Sequence, residues 1–93
     1  MEILWDDGKN RKLIAERGLS LETFASLILE KKYLAILKNT SRTEQKIFVI
    51  PYENYTYVVP FVVDKNHSIV LKTVFPSRKY HKIYGGKEEN DFR

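Results

Sequence analysis

Three runs dense in β-branched and aromatic residues, Lys46–Pro51, Tyr55–Val63 and Ser68–Phe75, follow one another with only short polar links between them. No other feature constrains the fold as strongly. Such residues suit the pleated, half-buried surface of a sheet. The links around Glu53-Asn54 and across Asp64-Lys65-Asn66-His67 are too brief for a crossover helix, which predicts antiparallel pairing of successive strands. One residue conflicts with the pattern. Pro60 lies inside the middle run and has no N–H to give a ladder, so a bulge or a switch of pairing side is expected there.

The first third of the chain reads differently. Glu2–Trp5 reads as a short strand with Ile3 and Trp5 on one face, and Trp5 is expected in the core. Asp6 is placed to cap a helix through Lys9, Leu13 and Ile14 that stops at Gly18. Ser20 starts a second helix, in which Leu21, Phe24, Ala25 and Ile28 form an apolar stripe that Leu27 and Leu29 widen. Tyr33 to Leu37 fits either a short strand or the end of that helix, and Asn39 to Glu44 reads as a loop. After Pro76, Ser77 is expected to cap a short helix from Arg78 to Tyr84, closed by Gly85-Gly86.

The implied fold class is α+β. It comprises an antiparallel sheet of about four strands, two N-terminal helices packed on one face and a short C-terminal helix. The other face, or its rim, would then be free to work. At 93 residues and 43% hydrophobic, the chain can fill one core and little more. Residues 1–84 are read as a single domain and 85–93 as a flexible tail.

Composition narrows the chemistry. There is no cysteine, so disulfides, thiolate catalysis and thiolate-bound metals are excluded. His67 and His81 stand alone, without the tight spacing a zinc site requires, and neither a metal nor a cofactor is expected. The N-terminus has an early acid and no sustained apolar stretch, and no run is long enough to cross a bilayer. The expectation is a cytoplasmic protein with no membrane contact.

Charge is segregated. From Lys65 to Tyr84 there are five Lys/Arg, two His and no Asp or Glu, within a chain of net charge +4. A polyanion rewards one cationic surface and penalises interspersed carboxylates. A solvated face on a basic protein would have the same composition. Strict alternation along the last strand places Ile69, Leu71, Thr73 and Phe75 on one face, and Val70, Lys72 and Val74 on the other. Lys72 is thus a lone charge among apolar neighbours.

A phosphate-bearing ligand would find, between Lys72 and Tyr84, residue types that bind phosphate and that move protons. Arg78 can fork onto two phosphate oxygens, and His81 can move protons near neutrality. Tyr84 or Tyr80 can act as an acid or stack on a base, and Lys72 can act once partly desolvated. Packing explains several of these residues as well. Tyr80 and Tyr84 can seat the last helix on the core, Lys72 can snorkel from an edge, and His81 can be a surface histidine. Tyr52, Tyr55 and Tyr57 suit either aromatic stacking on a ligand or a buried hairpin face.

Several motifs taken together resemble a known family. Trp5-Asp6-x-x-Lys9-Asn10 and Glu16-Arg17-Gly18-Leu19-Ser20-Leu21-Glu22 resemble the opening of the BrnT-type toxins. Lys46-Ile47-Phe48-Val49, Tyr57-Val58-Val59-Pro60-Phe61 and Leu71-Lys72-Thr73-Val74-Phe75-Pro76-Ser77-Arg78-Lys79 resemble a subgroup with an LKTxxPSRK ending. The similarity spans Met1 to Tyr84. Arg17 stands where the family often has histidine, and Val74 stands near a position where other members have arginine. The resemblance implies a RelE-like ribonuclease of a bacterial type II toxin–antitoxin system. It would cleave RNA to arrest translation, with or without the ribosome, and be held inactive in a heteromeric complex with an antitoxin. Metal-free RNA cleavage needs a base for the ribose 2′-hydroxyl, a cation for the phosphorane-like transition state and an acid for the leaving oxygen, and Lys72, Arg78, His81 and Tyr84 are then the expected catalytic set. Lys9, Arg17, Ser77, Lys79 and Lys82 are the expected RNA contacts. The alternative is a catalytically inactive RNA- or protein-binding module of the same fold.

Overall fold

Alternation along the central strands divides their side chains between two apolar clusters, one on each face of a mixed sheet. The computed structural model of the chain describes residues 2–85. The elements run β1 (Ile3–Leu4), α1 (Asp7–Arg17), α2 (Leu21–Leu29), β2 (Ala35–Lys38), β3 (Lys46–Tyr52), β4 (Tyr55–Val63), β5 (Ile69–Leu71), β6 (Phe75–Pro76) and α3 (Arg78–Tyr80). A π-helical turn, His81–Gly85, continues α3 directly. Of the expected tail, 85–93, Gly85 closes this turn, and residues 86–93 lie outside the described residues.

The strand order is β1-β5-β4-β3-β2, with β6 also paired to β4. The three strands anticipated from the β-rich runs pair antiparallel, as their short links require. The expected count of about four strands becomes six among the described residues. Ala35–Lys38 resolves as a strand against β3, and the third run divides in two. The sheet is also not purely antiparallel, because β1 pairs parallel to β5. The whole chain between these two strands forms the connection that a parallel pair needs.

The helix caps follow the expected chemistry. The Asp6 carboxylate accepts from Lys9 N–H at 2.9 Å, and Gly18 adopts a left-handed φ of 67° while donating to the Ile14 carbonyl. Ser20 caps α2 through Glu22 N–H. Leu21, Phe24, Ala25 and Ile28 of α2 are buried against Phe48, Ile50, Val59 and Phe61. Leu27 joins that stripe partially. Leu29 does not: it is 64% exposed, because the helix ends there and turns its last residue outward. Phe24 meets Tyr52 and Tyr57 edge-on or tilted, at 5.1 and 5.5 Å between ring centres. Ile3 and Trp5 pack partly buried against the same cluster.

The opposite face is not left free. Ile47, Val49 and Val58 form a second cluster there, covered by Tyr80 of α3 and Tyr84 of the π turn. Their phenol rings therefore help to seat the C-terminal segment on the sheet.

Pro60 interrupts the ladder on one side only. Leu71 pairs with Phe61 and Phe75 with Val58, so four residue steps on the outer strand oppose three on β4. The extra residue makes a bulge spanning Lys72 to Val74, held by Lys72 N–H donating to the Pro60 carbonyl at 2.8 Å. The bulge corrects the strict alternation expected of the last strand. Val74 turns inward to the α2-side core at 0% exposure, while Phe75 is 37% exposed.

Candidate nucleic-acid interface

α1 is unusual for a helix in so small a fold: Asn10 is its only buried residue. Lys9, Lys12, Leu13, Glu16 and Arg17 repeat at helical spacing on one side of it, and that side lines a cleft of about 640 Å³, with Leu13 also packing partly buried against the core. The β2–β3 loop contributes Arg42 and the bulge contributes Lys72, the latter half-buried beside Pro60 and Thr73. Among the described residues, five cations therefore meet one carboxylate, Glu16, around this concavity. Among the described residues the one side-chain ion pair joins Lys32 and Glu30 at 3.4 Å, away from this cleft. Its cations have no carboxylate partner among those residues, so their field is directed at solvent or a bound anion.

Each wall has a device that holds it. The Asn10 side-chain oxygen accepts from Leu21 N–H at 2.7 Å in a buried contact, tying α1 to the first turn of α2. That bond also satisfies one of the donors a helix start leaves unpaired. In the β2–β3 loop, Asn39 Oδ1 accepts from Ser41 N–H at 3.0 Å and Arg42 N–H at 3.3 Å. Its amide nitrogen donates to Gln45 at 3.2 Å. This Asx-type turn fixes the backbone that carries Arg42.

The residues expected to act fall into two groups. Lys9, Arg17 and Lys72 line the cleft. Ser77, Arg78, Lys79, His81, Lys82 and Tyr84 lie on α3 and the π turn, anchored where Ser77 N–H donates to the Thr56 carbonyl. Thr56 and Pro60 are four residues apart on β4, a separation of roughly 13 Å. Ser77 Oγ caps α3 by accepting from Tyr80 N–H. His81 stacks on Tyr55 at 4.3 Å, and its Nδ1 lies 2.9 Å from Thr56 Oγ1. Lys79 Nζ sits over the Tyr80 ring at 5.2 Å. Arg78 and Lys82 are exposed.

Lys12, Arg42 and Glu16 belong to the cleft but were not singled out from sequence. Lys9, Lys12 and Glu16 did carry a signal, since their spacing places them on one side of a helix. Arg42 carried only the Asn39-x-Ser41 turn pattern, which says nothing of what faces it across the cleft. The described residues include no group of three or more His, Asp or Glu arranged to hold a metal ion.

The architecture is an α+β fold of the BrnT toxin type. The particular structure it resembles is the Brucella abortus ribonuclease toxin BrnT, a crystal structure at 1.1 Å resolution. The match has a TM-score of 0.61 and 20% sequence identity, and covers 83% of this chain and 96% of that one. The likeness is one of fold. No protein-family model matches the sequence. No curated protein matches it either.

Proposed function

We propose that this chain is the toxin of a type II toxin–antitoxin pair and cleaves RNA without a metal ion, holding the scissile phosphate in the cleft between α1 and the bulge. The observation that carries the reading is the convergence of Lys9, Lys12, Arg17, Arg42 and Lys72 on one concavity in a fold shared with a ribonuclease toxin. Arg17 and Arg42 suit phosphate oxygens because a guanidinium offers two parallel donors. Lys72 approaches from the sheet side, half-desolvated, where its charge acts more strongly on a developing dianion than it would in water. Arg78, Lys79, His81, Lys82 and Tyr84 then serve the flanking RNA from the α3 side, with Tyr55 and His81 offering a stacked aromatic surface. A cognate antitoxin with an acidic segment would neutralise the chain by competing for the same cations.

The test is cleavage of single-stranded RNA by the purified chain, with Lys72→Ala and His81→Ala alongside. Lys72→Ala is expected to lower the rate by about 10²-fold or more, the scale seen when one transition-state donor is removed. His81→Ala is expected to cost less. Undiminished cleavage by Lys72→Ala would move the reaction out of this cleft. RNA binding without cleavage by the unaltered chain would leave the inactive binding module as the better reading.

A further inference from the structure

Glu16 has no evident structural task. It is exposed, it caps nothing, and among the described residues it forms no ion pair. Yet it occupies the same helical stripe as Lys9, Lys12 and Arg17 and, among the described residues, is the single carboxylate lining a cleft of five cations. A site that only gripped phosphate would gain nothing from a carboxylate there, since it repels the ligand that the surrounding cations attract. A carboxylate is useful where a proton must be taken from a neutral hydroxyl close to a phosphate.

We infer that Glu16 is the general base of the cleft, taking the proton from the ribose 2′-hydroxyl of a bound RNA strand. The inference rests on the ribonuclease reading above. The hydroxyl proton passes to the Glu16 carboxylate and the 2′-oxygen forms a bond to phosphorus. The bond from phosphorus to the 5′-oxygen breaks, and that oxygen takes a proton from the Lys72 ammonium, which solvent then replaces. The products are a 2′,3′-cyclic phosphate and a 5′-hydroxyl, and no metal or redox partner enters the balance. The alternative base, His81, is engaged with Thr56 and Tyr55 and belongs to the α3 side of the sheet.

A Glu16→Gln variant separates this role from a merely electrostatic one. The substitution removes a negative charge from a cationic cleft, so RNA binding is expected to hold or tighten. Loss of the base is expected to lower kcat by about 10²-fold or more and to flatten the acid limb of the pH–rate profile. Wild-type products are expected to carry cyclic phosphate ends. If the wild type cleaves and Glu16→Gln cleaves as well or better, Glu16 is not the base although the ribonuclease reading stands. The base is likewise overturned if wild-type products carry 3′-hydroxyl ends. If the wild type does not cleave at all, both fall. Because Glu16 is exposed on its helix, the variant is expected to unfold at the wild-type temperature, which excludes a folding defect as the cause of any lost rate.

Discussion

At the scale of single residues, local chemistry decides where each segment stops and what it can hold. Gly18 ends α1 with a φ of 67°, and a Cβ built there would meet nothing within 4 Å. The cost of a side chain at this position is therefore backbone strain without a clash. Gly18→Ala is expected to destabilise the fold by about 1–2 kcal/mol, read from the midpoint of urea unfolding. Lys72 shows the opposite dependence, on partners distant in sequence. No charged residue adjoins it in the chain, but the bulge opposite Pro60 places it at the cleft, where Lys9, Lys12, Arg17 and Arg42 meet it from two other segments. Neither alternation nor composition encodes that meeting.

At the scale of elements, α1 is lightly secured and the richest in cleft residues. Little apolar surface holds it, so the Asn10–Leu21 hydrogen bond and the packing of Leu13 carry much of its placement. Asn10→Ala would strand a buried N–H and is expected to cost about 1–3 kcal/mol in stability. It should also weaken RNA binding, because Lys9, Lys12 and Arg17 lose a fixed position. Asn10→Asp retains an acceptor oxygen and is expected to recover most of that affinity in a direct binding titration; equal loss in both variants would refute the positioning role. The elements also show what the sequence made legible. Caps at Asp6, Gly18, Ser20 and Ser77 are local signals, and each appears where its chemistry placed it. The parallel β1–β5 pair, the split of the last strand and the outward turn of Leu29 depend on contacts between distant segments, which a linear reading does not contain. Pro60 announced a break in pairing but not the inward turn of Val74 that follows from it.

At the scale of the whole molecule, one sheet carries a separate apolar cluster on each face, and a cationic cleft opens where α1 and the β2–β3 loop approach the bulge. The apolar core and the candidate site are therefore largely separate in space. Phe24 is fully buried between α2 and the hairpin tyrosines, and Phe24→Ala is expected to cost about 3–5 kcal/mol in denaturant unfolding, a large part of what so small a domain has. The exposed cleft cations are expected to leave stability nearly unchanged when truncated. The most direct test of the central claim is the salt dependence of affinity for a labelled single-stranded RNA, compared between the wild type and a Lys9→Ala/Lys72→Ala double variant. Each phosphate contact contributes a slope of about −0.7 in log K against log salt, so the double variant is expected to flatten the slope by about 1.4. An unchanged slope would mean that these lysines touch no phosphate, and that the cleft is not where this protein meets RNA.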